Sequence, residues 1–169
     1  MTGGIRYDVV SSESSVVRTQ GNKARGDTVT LFLLVAHIGA AIVFIGPATF
    51  ASSAFARFAR PRTREVAEAL HSVTRAYGTA SVIVGAVGLA LAAQRALFSQ
   101  GWLMAATGLF IVALGLLLGI AVPTQERALD VLRTGADIPA SLKMRLRLSA
   151  GFFALCWLVV LALMVMKPS

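Results

Sequence analysis

The sequence predicts an all-α membrane protein, four transmembrane helices arranged as two long helical hairpins. Three observations lead there. Of 169 residues, 56% are hydrophobic and only 14% are charged, against about 25% charged in an average soluble domain, so polar surface is too scarce to cover a globule in water. The apolar residues gather into four runs, each close to the ~20 residues that a helix needs to cross a hydrocarbon core. In lipid, each segment must satisfy its own backbone hydrogen bonds, which selects helices over open strands.

The first run covers 29–50 and extends toward Phe58; the others cover 77–97, 102–122 and 146–166. Asp27 and Thr28 stand directly before the first run and suit the N-cap of its helix. Pro47, after Gly46, is expected to kink that helix. Pro61 and Pro123 suit first-turn positions, and the segments behind them, 62–77 and 124–133, have the pattern of amphipathic helix. Gly135 reads as a helix stop and Pro139 as a restart. Residues 1–27 lack apolar periodicity and are expected to form a flexible tail, which leaves 28–167 as the membrane domain. The first run, with Pro47 and the Ala54-Phe55-Ala56 triplet, imitates a cleaved secretion signal. Its apolar stretch, however, exceeds the usual core of about 7–15 residues.

Charge sets the expected orientation. The net charge is +8, with the basic residues flanking the apolar runs, where they act as topology determinants and contacts for anionic headgroups. Arg57, Arg60, Arg62, Arg64 and Arg75 lie between runs one and two, and Arg127, Arg133, Lys143, Arg145 and Arg147 between or beside runs three and four. The other side has Arg6, Arg18, Lys23, Arg25, Arg95 and Lys167. That asymmetry places both long loops in the cytoplasm and both termini outside a bacterial inner membrane. No folded basic surface is left over for nucleic acid. The excess of Arg over Lys, 13 to 3, fits a GC-rich bacterium such as an actinobacterium. Cys156 is the single cysteine, so no intramolecular disulfide forms.

Lipid supplies no hydrophobic drive for helix association, so small residues that allow close approach mark packing faces. Gly115 and Gly119 form a GxxxG on the third run, and Gly85 and Gly88 belong to a small-residue stripe on the second. Both are expected to pack within the chain. The fourth run is bulkier and suits lipid or a partner protein.

His37 is the one ionisable side chain embedded well inside a run, and such groups are functional candidates by default. A neutral imidazole hydrogen-bonded to a carbonyl or hydroxyl, a haem or metal ligand, and a proton or substrate role all remain open for it. His71 precedes the second run and should differ from His37 in depth by about 20 Å or more, so one haem iron cannot reach both. It is expected to be an interfacial polar residue. Met104, Met164 and Met166 are better placed as a second ligand, since histidine with methionine serves haem iron and soft copper. No Asp or Glu lies inside a run, and no nucleophile, phosphate-loop or zinc motif occurs, so no catalytic or metal residue is assigned. Glu65 and Glu68, and Glu126 with Asp130, sit among arginines as solvated ion pairs.

The run "LFLLVAHIGAAIVFIGPATFASSAFARFAR" followed by "ALHSVTRAYGTASVIVGAVGLALA" resembles a family of uncharacterised bacterial four-helix integral membrane proteins. More distantly it resembles the copper-resistance protein CopD and the HemJ-type haem-synthesis oxidases. The resemblance covers about residues 29 to 166. In the HemJ-type proteins a first-span histidine is implicated in haem binding, which implies His37 as the haem b ligand here. Their other polar residues have no match in this chain, so enzymatic activity is not implied. Small four-helix proteins of this appearance also occur as accessory subunits of actinobacterial respiratory supercomplexes. The expectation is therefore a non-catalytic accessory or assembly subunit of a larger membrane complex, such as a respiratory supercomplex, among lipids with anionic headgroups. A haem- or copper-binding protein using His37 and a small-solute transporter are the alternatives.

Overall fold

The structure, a computed structural model, describes residues 25–95 and 97–166. The tail expected at the N-terminus lies, up to residue 24, outside the described residues. Four helices follow: α1 (Arg25–Phe58), α2 (Pro61–Gln94), α3 (Gly101–Arg133) and α4 (Ala140–Met166), each long and apolar enough to cross a membrane. At 1.5 Å per residue the first three run about 50 Å, beyond the about 30 Å of a hydrocarbon core. They pack as a ring in which α1 touches α2 and α4, while α3 touches the same two from the opposite corner.

The helix ends follow from local chemistry. Phe58 ends α1 and Pro61 starts the next turn, with Thr63 Oγ1 donating to the Phe58 carbonyl. Gly135 adopts φ +78°, a left-handed conformation that costs glycine little, and its N–H bonds the Leu132 carbonyl to close α3. Pro139 then accepts bonds from Leu142 and Lys143 N–H and restarts the chain as α4. Asp27 and Thr28 do not stand at the helix start. The helix already runs through Arg25, so both lie inside its first turns. The second expected run also ends early, because α2 stops at Gln94.

At Pro47 the helix changes its hydrogen-bond spacing. A π-turn spans Ala41–Ile45 directly before Gly46 and Pro47, and a second spans Leu117–Ala121 directly before Val122 and Pro123. A proline ring collides with the carbonyl four residues back. That carbonyl belongs to Val43 in one case and Gly119 in the other, each inside its π-turn. The wider turn makes room for the ring and the helix continues. Hydroxyls brace both places, with Thr49 Oγ1 on the Ile45 carbonyl at 2.7 Å and Thr124 Oγ1 on the Ile120 carbonyl at 2.6 Å.

The core is layered. One apolar cluster, including Phe55, Ala67, Leu129, Leu132 and Leu146, lies at the end of the bundle that carries the basic residues. A second, including Ile45, Val84, Leu117 and Phe153, lies deeper. Between them each helix buries polar side chains: Ser52 on α1, Thr74 and Ser81 on α2, Thr124 and Gln125 on α3, Ser149 on α4. Five are hydroxyls that donate to carbonyls three or four residues back. Among the described residues no buried side-chain polar atom lacks a partner, as burial requires.

Phe55 is fully buried at the centre of the basic-end cluster. Phe55→Ala is expected to lower unfolding stability in detergent by about 3 kcal/mol, read as a shifted denaturant midpoint. An unchanged midpoint would contradict this packing.

Candidate functional site: a histidine-walled cavity

Beyond the deeper cluster the bundle loosens. A cavity of 320 Å³ lies between α2, α3 and α4 with His37 of α1 at its edge. Leu103, Phe110, Trp157 and Met164 contribute to a lining that is otherwise almost wholly apolar. Phe110 and Trp157 meet edge to face, with ring centroids 6.4 Å apart.

His37 is placed by α2. Its Nδ1 lies 3.0 Å from the Val84 carbonyl oxygen. That carbonyl belongs to a helix, where the residue four positions on normally shields it; here that residue is Gly88. A Cβ at Gly88 would stand 2.8 Å from His37 Cε1 and 3.2 Å from Nδ1, so the missing side chain is what admits the imidazole. Gly85 does the same for Phe110, whose Cε1 would be 2.6 Å from an added Cβ. Gly78 admits Leu117 at 2.9 Å.

The bond to Val84 fixes the chemistry of the ring. A carbonyl oxygen only accepts, so Nδ1 carries the proton, and in the neutral imidazole Nε2 keeps a free lone pair. A carbonyl bonded to the other ring nitrogen orients metal-bound histidines, and the same bond leaves Nε2 able to accept from a hydroxyl or N–H. Of the three methionines considered as a second ligand, Met164 lines the cavity. Met104 and Met166 are 59% and 76% exposed, on the outside of the bundle.

His71 lies in another part of the fold. It and Val84 are 13 positions apart on α2, about 20 Å along the axis. Read as an interfacial polar residue, it also links two helices: its Nδ1 is 3.1 Å from Gln125 Oε1 on α3, and its Nε2 is 3.7 Å from Glu126. Gln125, 1% exposed, turns its amide nitrogen toward Thr74 Oγ1 at 3.5 Å. Nothing in the run pattern marked Gln125; the signal was a lone amide just behind Pro123 on the face that packs. Two other carboxylates are surface ion-pair partners, Glu68 with Arg64 and Asp130 with Arg133.

Gly115 and Gly119, read as an internal packing face, are exposed, and a Cβ at either would meet nothing within 4 Å. The packing side of α3 carries Ala106, Ala113, Leu117 and Ala121 instead, all buried. Among the described residues no cluster of three or more His, Cys, Asp or Glu side chains could hold a metal ion. No family model, curated protein or solved structure matches this chain.

Gly88→Ala is expected to push the imidazole off Val84 and cost about 1–3 kcal/mol through overpacking, visible as a lower melting temperature in detergent. Gly39→Ala, where an added Cβ meets nothing, should leave the melting temperature unchanged or slightly raised. Equal melting temperatures for the two variants would count against the His37–Gly88 contact.

Proposed function

We propose that this protein is a non-catalytic integral membrane protein that holds a neutral, lipophilic small molecule beside His37. It inserts as two helical hairpins with the basic end in the bacterial cytoplasm and the cavity in the outer half of the membrane. The observation that carries the reading is the Nδ1 bond to the Val84 carbonyl, which leaves Nε2 as a free acceptor on a residue that borders an apolar cavity. The matching ligand is apolar over most of its surface and presents one hydroxyl or N–H. A volume of 320 Å³ lies near the lower end of ligand pockets, which run about 300–1,000 Å³, and so suits a small molecule.

Haem b fits this lining poorly. Nε2 and the Met164 thioether are suitable axial donors, but no lysine or arginine lines the cavity to meet the two propionates. Copper(I) would use the same two donors, both acceptable to a soft ion. Purification from native membranes, with an optical spectrum and mass spectrometry of the extract, tests the proposal. A neutral lipid-soluble compound should accompany the wild type and be depleted in His37→Ala. Equal content in both would overturn the proposal, and a Soret band lost in His37→Ala would replace it with the haem reading.

A second reading, an accessory or assembly subunit, is favoured by α1. Only 6% of its apolar stretch is buried, against 28% for α3, and Phe32, Val35, Ile38 and Ile42 are exposed along its free half. A partner helix would cover that side. Native mass spectrometry of the gently solubilised protein should then show a further subunit, and a chain that always emerges alone counts against this role.

A further inference from the structure

At the basic end, between the close of α1 and the start of α4, lies a recess of 460 Å³ lined by Ser53, Arg57, Arg60, Lys143 and Arg147. No carboxylate lines it. Among the described residues the carboxylate contacts within 4 Å lie elsewhere, Glu68 to Arg64, Asp130 to Arg133 and Glu126 facing the His71 imidazole, and none reaches these four cations. Four cations thus share one hollow with no internal counter-charge among the described residues. Such an arrangement is stabilised by a bound anion, and basic pockets between helices at the cytoplasmic face suit phospholipid headgroups.

The surface above the recess decides what kind of anion. Stepping along α1 at helical spacing from Arg57 leads to Ser53, Phe50 and Gly46, and along α4 from Arg147 to Gly151, Leu155 and Leu158. A Cβ on Gly46 or Gly151 would meet nothing within 4 Å, and Phe50, Leu155 and Leu158 are exposed. Apolar surface with two side-chain-free positions therefore continues from the charged hollow. A soluble phosphate would use only the hollow, whereas a phospholipid uses both parts.

We infer that the recess formed by Arg57, Arg60, Lys143 and Arg147 is a binding site for an anionic phospholipid of the inner leaflet. A headgroup with two phosphodiesters, as in diphosphatidylglycerol, matches four cations best. The acyl chains lie against Phe50 on α1 and Leu155 on α4, with Gly46 and Gly151 leaving them room. The inference rests on the membrane insertion proposed above and is independent of the His37 ligand.

The test uses the full chain reconstituted in phosphatidylcholine nanodiscs with or without diphosphatidylglycerol, read by native mass spectrometry of retained lipid. Flotation with vesicles is measured first, so a chain that does not float fails the membrane reading, and one that floats without lipid preference fails this inference alone. The wild type should retain diphosphatidylglycerol. Replacing Arg57, Arg60 and Arg147 together by Gln should weaken retention about a hundredfold, while the same three changed to Lys stay within a few-fold of wild type. Arg62, Arg75 and Arg145 changed together to Gln remove equal charge outside the recess and should leave retention intact. Equal losses in the two Gln variants, no loss in either, or inorganic phosphate bound as tightly in phosphatidylcholine alone would each overturn it.

Discussion

Close approach to α2 is the constraint on which the rest of the bundle depends. Helices in lipid gain little from burying apolar surface against one another, so they associate where small residues let side chains reach backbone. On α2 those positions are Gly78, Gly85 and Gly88, which receive Leu117, Phe110 and His37 in turn. Two of these contacts hold α3, and the third holds the free half of α1. The glycine at 88 also exposes the Val84 carbonyl sideways. Packing and chemistry therefore meet at one position: the residue that lets α1 approach is the one that sets the imidazole tautomer.

The two halves of the bundle differ in kind. Toward the basic end, two apolar clusters enclose a level of buried polar groups, and His71, Gln125 and Thr74 tie α2 to α3 across it. A buried polar network is stabilising only when every member is satisfied, and among the described residues no buried side-chain polar atom lacks a partner. Toward the other end the side chains no longer fill the space, and the cavity beside His37 results. Pro47 and Pro123 both adjoin the second cluster, each directly behind a π-turn, a feature frequently found near functional sites in helices.

Much of this was legible in the sequence. Run length and low charge gave four apolar helices, and Gly135 and Pro139 marked the turn between α3 and α4. His37 stood out because an ionisable group inside an apolar run is costly, and the separation of His71 from it along the helices followed from counting residues. Periodicity could not reveal which glycines are covered. Gly115 with Gly119 and Gly85 with Gly88 look alike as strings, and only the positions of the neighbouring helices show that one pair is open and the other filled. The same holds for Gln125 and the basic recess, since each is made by residues distant in sequence.

His37, at the edge of the cavity, is held as the Nδ1–H tautomer by Val84, which leaves the Nε2 lone pair free. Nitrogen NMR of histidine-labelled protein measures this directly, with His71→Gln leaving a single imidazole in the chain. The account predicts a protonated, hydrogen-bonded Nδ1 and an unprotonated Nε2 in wild-type Gly88, with that pattern lost in Gly88→Ala. A proton on Nε2, or a ring whose signals ignore the change at position 88, would contradict it.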